Sequence, residues 1–143
     1  MEGEVRSEVS KKSKYYLPKH RYLELKHFSM QYDYYKKLLR EISLRSSYIL
    51  KASGEQIEFK DPTCDMAKNY FYYCSLVGVI EKAAKIAGGE YSMALLKGVT
   101  LGLPYHSLYL KGDLECSRAR YYEMYRKYFF VLSDLKEREV QVL

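Results

Sequence analysis

GLPYHSLYLKGDLECSRARYYEMYRKYFFVL, residues 102–132, reads as a short helix, a glycine turn and a long helix that opens on arginines. Gly102-Leu103-Pro104 punctuates the chain, since glycine adopts left-handed backbone and proline cannot continue a helix. Tyr105 to Lys111 then forms a short helix with Leu108 and Tyr109 turned inward. Gly112-Asp113 reverses the chain, and Ser117 stands as an N-cap before Arg118-Ala119-Arg120-Tyr121-Tyr122. This is the spacing of a helix-turn-helix, whose second helix presents its first turn to the major groove, where arginines reach base edges or phosphates. Arg118 and Arg120 are therefore candidate DNA-binding residues, joined in the candidate set by Lys127 farther along the same helix, and double-stranded DNA is the expected partner. Short helical hairpins also serve as plain packing devices, so the pattern by itself leaves both roles open.

The last helix carries its own internal test. Tyr122, Tyr125, Phe129 and Leu132 recur at three and four, the spacing of a core-facing stripe, with Tyr121 and Tyr128 at its edge and Arg120 and Lys127 on the opposite side. Seventeen tyrosines and no tryptophan are the strongest compositional oddity of the chain. Tyrosine stacks on bases, but at this periodicity Tyr122 and Tyr125 are assigned to the core.

Upstream, the organisation is helical. Residues 1–15 mix charge with serine without periodicity, which suggests a flexible arm. From Pro18, a first helical residue, Tyr22, Leu25, Phe28, Tyr32, Tyr35, Leu39 and Ile42 mark an amphipathic helix over about Lys19 to Ser43, with Asp33 positioned to break it near Tyr32. Residues 44–60 lose the period and read as loop, with room for a short hairpin. Asp61-Pro62-Thr63 is a helix start. Met66, Tyr70, Tyr73, Val77, Ile80, Ala84 and Ala87 then run to the stop at Gly88-Gly89. Phe71, Tyr72, Leu76 and Val79 make this central helix apolar nearly all round, so burial in the domain or between the subunits of a homodimer is expected. A further helix from about Glu90 to Leu101 presents Met93, Leu96 and Val99. The fold class is all-α: a compact multi-helix domain over residues 16–143 with a helix-turn-helix-like unit at 102–132.

Composition narrows the function. A chain of 143 residues with 48% hydrophobic and 29% charged side chains is globular and large enough to bury a core. No apolar run reaches the roughly 18 residues that span a bilayer, and Met1 to Lys14 lacks the apolar stretch of a signal peptide, so a cytoplasmic protein without membrane contact is expected. The net charge of +6 suits a polyanion. Its excess lies in residues 1–40, with 10 basic and 5 acidic side chains, whereas 103–143 carry 7 and 6. Within the long helix, Arg118, Arg120, Arg126 and Lys127 face only Glu123, a local surplus that also fits an ordinary solvated face. Cys64, Cys74 and Cys116 are too far apart for a metal knuckle and read as reduced, packed thiols. His20 and His27 lack companion ligands, and His106 and Cys116 lack a third orienting group. No glycine-rich phosphate loop is present, since neither Gly88-Gly89 nor Gly98 and Gly102 precede lysine-serine or lysine-threonine. No catalytic residues, metal or cofactor are expected, and the protein is not expected to be an enzyme.

Tyr16-Leu17-Pro18-Lys19-His20-Arg21-Tyr22-Leu23-Glu24-Leu25-Lys26-His27-Phe28, Asp61-Pro62-Thr63, Leu96-Lys97-Gly98-Val99-Thr100, Cys116-Ser117-Arg118 with Tyr121-Tyr122, and Tyr125-Arg126-Lys127-Tyr128-Phe129 together resemble small phage-related proteins of Gram-positive bacteria. Over residues 16–133 the chain looks like the ArpU-type, sigma-region-4-like prophage transcriptional regulators. The resemblance implies transcriptional regulation in a bacterial host, with Ser117, Arg118, Arg120 and Tyr121 at the start of the recognition helix. It departs from a DNA reader in the turn, where Asp113 and Glu115 place two acids beside the presumed DNA face. A phage protein of this size also fits a second role: an inhibitor of a host nucleic-acid-targeting defence complex, of anti-CRISPR or anti-restriction type, acting by protein–protein binding. A phage assembly adaptor is a third.

Overall fold

The computed structural model describes residues 13–45 and 65–142. Six α-helices account for its regular structure: α1 (Lys19–Ser29), α2 (Tyr32–Arg45), α3 (Asp65–Gly88), α4 (Ser92–Leu101), α5 (Tyr105–Leu110) and α6 (Arg118–Val142), with a 3₁₀ turn at Gly89–Tyr91. No strand occurs among the described residues, so the fold is all-α. The start expected at Asp61-Pro62-Thr63 and the hairpin considered within 44–60 fall largely or wholly outside the described residues, as do most of the N-terminal arm and Cys64. No described helix is long and apolar enough to cross a membrane.

The chain divides into two compact units, Met1–Tyr32 with Val79–Leu143, and Asp33–Gly78, a division not drawn from the sequence pattern. In the larger unit α1, α4, α5 and α6 pack together with the last turns of α3. Leu25 of α1, Ile80 and Ala83 of α3, Leu95 of α4, Leu108 of α5 and Tyr121, Tyr128 and Leu132 of α6 are all fully buried. In the smaller unit Tyr35 of α2 stacks on Tyr73 of α3, ring centroids 5.9 Å apart, and Ala67 is fully buried.

The tyrosines explain themselves in the larger unit. A buried phenol is tolerated when its hydroxyl finds a partner. Tyr22 and Tyr125 hydroxyls bond at 2.9 Å across α1 and α6, and Ser29 Oγ meets the Tyr128 hydroxyl at 2.7 Å. The Tyr122 hydroxyl accepts from the Tyr105 backbone N–H at 3.1 Å, and the Tyr105 hydroxyl donates to the Cys116 carbonyl at 2.7 Å. Phe129 lies edge-on to Tyr22, Tyr125 and Tyr128 at 4.8 to 5.1 Å. Arg21 completes the α1–α6 contact, donating to Ser133 Oγ at 3.0 Å and to its carbonyl at 3.2 Å.

Three expectations need correction here. Tyr121, not Tyr122, sits at the centre of the buried stripe; Tyr122 is half-buried at its edge. The physical reason is Gly98 on α4, whose missing side chain makes the room that the Tyr121 phenol occupies: a Cβ built there would overlap the Tyr121 hydroxyl. On α5 Leu108 turns inward as expected, but Tyr109 is exposed, because six residues form barely two turns and bury one side. Of the two burials expected for the central helix α3, in the domain or between subunits, the first does not hold all round, since Phe71, Tyr72 and Ile86 are about half exposed, and a single chain does not test the second.

Candidate nucleic-acid interface

The approach to α6 is built from local rules. α4 ends on Gly102 in the left-handed region, φ 69°, with the Leu103 N–H bonded back to the Gly98 carbonyl. Pro104 is extended and starts α5. Gly112, φ 78°, ends α5 in the same manner, with the Asp113 N–H returning to the Leu108 carbonyl. The connection then runs over Lys111–Ser117, longer than the three or four residues of a tight helix-turn-helix turn. It is held at both sides: Leu114 is buried, and Asp113 pairs with Lys97 of α4 at 3.4 Å. One of the two acids beside the presumed DNA face is therefore already engaged by a cation.

Ser117 caps α6 as its position predicts, its Oγ accepting the Arg120 backbone N–H at 3.1 Å. Its hydroxyl is thus used by the helix itself. Arg118 and Arg120 are exposed on the first turn, which contains no acidic residue, at the end where the helix dipole favours anions. Arg118 lies over the Tyr122 ring, 5.1 Å from its centroid, an arrangement that holds the guanidinium at the helix start. Lys127, half-buried, follows Arg120 by two helical turns and so lies on the same line of α6.

Tyr121 is removed from the candidate set. Its side chain is fully buried against α4, and burial, followed by the neighbouring Tyr122 and Cys116, holds its phenol well above the ordinary value. A group so placed cannot reach a nucleic acid without unfolding the unit. The structure thus brings Arg118, Arg120 and Lys127 onto the surface of one helix, assigns Ser117 to capping, and returns Tyr121 to the core.

Arg120 and Lys127 also border a cleft of about 470 Å³ between α6 and the end of α3. Its other polar lining comes from Glu123 of α6, Glu90 of the 3₁₀ turn and Tyr15, with Ala87 and Met124 beneath. The sequence reading missed this cleft. The i, i+3 and i, i+4 spacing of Arg120, Glu123 and Lys127 was visible, but the contribution of α3 depends on tertiary packing.

Cys116, just before the cap, is half-buried, and burial pushes its thiol up. Such a thiol is a weak nucleophile at neutral pH. His106, ten residues earlier, is exposed. No group of three metal-ligating side chains occurs among the described residues. The chain matches no family model, no curated protein and no solved structure.

Proposed function

We propose that the chain is a DNA-binding transcriptional regulator of phage or prophage origin, with α6 as its recognition helix. The observation that carries the reading is the serine-capped start of α6, where Arg118 and Arg120 are exposed on a first turn free of acids, Arg120 opposite the buried stripe and Arg118 at the end of that stripe, over the Tyr122 ring. Rigid placement matters because a guanidinium discriminates bases only when its fork meets the base edge in a fixed geometry. Arg118 and Arg120 supply base or phosphate contacts, and Lys127, two turns on, supplies a phosphate contact. Two copies reading adjacent half-sites would use the two-fold symmetry common to such regulators, and the exposed Phe71 and Tyr72 of α3 support a homodimer.

The test is retention of double-stranded DNA by the full chain over a salt series. Affinity should fall log-linearly with salt. Arg118→Ala and Arg120→Ala should each weaken binding by about 1 to 3 kcal/mol for a base contact, with helical content unchanged. Absence of retention at low salt, or equal binding by the double variant, refutes the reading. One observation favours the second role, inhibition of a host defence complex by protein contact: Leu101, Tyr109 and Leu110, on α4 and α5, are each at least half exposed. In that case the chain binds its target protein and retains no DNA alone.

A further inference from the structure

The cleft at the end of α3 holds two carboxylates that DNA binding does not use. Two cations, Arg120 and Lys127, and two carboxylates, Glu90 and Glu123, line the same hollow. Glu123 stands at i+3 from Arg120 and i−4 from Lys127, the spacings at which helix surface charges normally pair. None of these four side chains makes an ion pair or side-chain hydrogen bond among the described residues. Between them the hollow is open to solvent, and its apolar lining is Ile86, about half exposed, with Ala87 and Met124, each 7% exposed. Gly89, at φ 55°, brings bare backbone to the rim.

A phosphate backbone uses only the two cations of this lining and leaves Glu90 and Glu123 without a partner. A simple apolar ligand makes no use of the four charges and costs whatever solvation it takes from them. The match is a ligand with one charge of each sign around an apolar body. The volume lies within the roughly 300 to 1,000 Å³ of small-molecule sites. We propose that the cleft binds a zwitterionic amino acid or dipeptide with an apolar side chain. Its carboxylate meets Arg120 and Lys127, its ammonium meets Glu90 and Glu123, and its side chain lies over Ala87 and Met124.

A regulatory consequence follows, and this part rests on the DNA-binding reading. Arg120 and Lys127 belong to both the cleft and the proposed DNA face, so a bound carboxylate competes with phosphate for the same two cations. Ligand should lower DNA affinity, and DNA should lower ligand affinity by the same factor.

The experiment titrates the full chain with L-phenylalanine and follows the methyl resonances of Met124 and Ala87. Saturable shifts in the millimolar range or below are expected. N-acetyl-L-phenylalanine lacks the ammonium and L-phenylalaninamide lacks the carboxylate. Each should bind roughly 10-fold or more weakly, the loss of one charged hydrogen bond. Glu90→Gln should weaken L-phenylalanine similarly while leaving DNA retention without ligand unchanged. No saturable shift with L-phenylalanine or L-leucyl-L-phenylalanine overturns the site, as does equal binding of the blocked analogues. The DNA arm is separate. Ligand binding with undiminished DNA retention overturns the competition, whereas ligand binding by a chain that retains no DNA at all leaves the cleft standing and removes only the regulator reading.

Discussion

Replacing Tyr121 with phenylalanine should make the protein more stable, an unusual direction for a change at the centre of a core. The Tyr121 side chain is fully buried, and its hydroxyl is the one buried side-chain polar atom among the described residues without a hydrogen-bond partner. An unpaired buried hydroxyl costs about 1 to 3 kcal/mol of desolvation, which phenylalanine does not incur. The space left by one oxygen is smaller than a methyl group and returns less than about 1 kcal/mol. The net gain is about 1 kcal/mol. Gly98 supplies the control. A Cβ there overlaps the Tyr121 hydroxyl and comes within 3.2 Å of Leu108 Cδ1, so Gly98→Ala should destabilise by about 1 to 3 kcal/mol through overpacking, reduced by the roughly 1 kcal/mol that alanine gains over glycine in a helix. With phenylalanine at 121 the main clash is gone. The double variant should therefore be more stable than the two single changes predict, by about 1 to 2 kcal/mol of coupling. Urea unfolding followed by circular dichroism measures all four proteins, with the midpoint shifting at constant slope. If Tyr121→Phe loses more than about 1 kcal/mol, or if the two changes add within about 0.5 kcal/mol, the account of the Gly98–Tyr121 contact is wrong.

Three further outcomes are expected. Burial holds the Tyr121, Tyr125 and Tyr128 phenols above their ordinary value, with the Tyr22 hydroxyl adding to the shift at Tyr125, so they stay neutral in the fold while the unfolded chain ionises near pH 10. Their contribution is complete below that pH and is lost above it by about 1.4 kcal/mol per phenol per pH unit; an alkaline titration in which all seventeen phenols ionise while the chain is still folded would contradict this. Ser117→Ala should cost about 1 kcal/mol by removing the α6 cap and loosen the first turn, visible as faster amide exchange at Arg120; unchanged exchange would show the cap to be idle. Phe129→Ala should cost about 3 to 5 kcal/mol in urea unfolding, whereas Arg118→Ala should stay within about 0.5 kcal/mol; similar losses in both would break the separation of core from surface on α6.

Punctuation was the most legible part of the fold. Gly102 and Gly112 end helices because each occupies left-handed backbone that other residues disfavour, and Ser117 caps because its hydroxyl is at the right offset. Pro18 precedes α1, and the break between α1 and α2 falls at Met30-Gln31, close to the Tyr32–Asp33 site that the sequence marks. The phase of the α6 stripe was not legible. Tyr121 and Tyr122 are chemically identical neighbours, and what selects between them is a glycine 23 positions earlier in the chain, on another helix. Periodicity reports that a stripe exists; only the facing surface decides its centre. The cleft was half legible for the same reason, its α6 side following from spacing and its α3 side from packing.

A core cross-linked by phenol pairs is keyed rather than merely greasy. Leucine packed on leucine tolerates a slide of a helical turn, because one methyl group serves nearly as well as the next. The Tyr22–Tyr125 and Ser29–Tyr128 bonds do not, since any displacement of α1 along α6 strands four hydroxyls in a dry interior. The two bonds act as teeth seven residues apart on α1, and Arg21 on Ser133 adds a third engagement with the same helix. A variant with phenylalanine at Tyr22, Tyr125 and Tyr128 and alanine at Ser29 would keep the shape and the oiliness of this interior while erasing its indexing. The proposed recognition helix would then remain helical but lose its fixed address relative to α1.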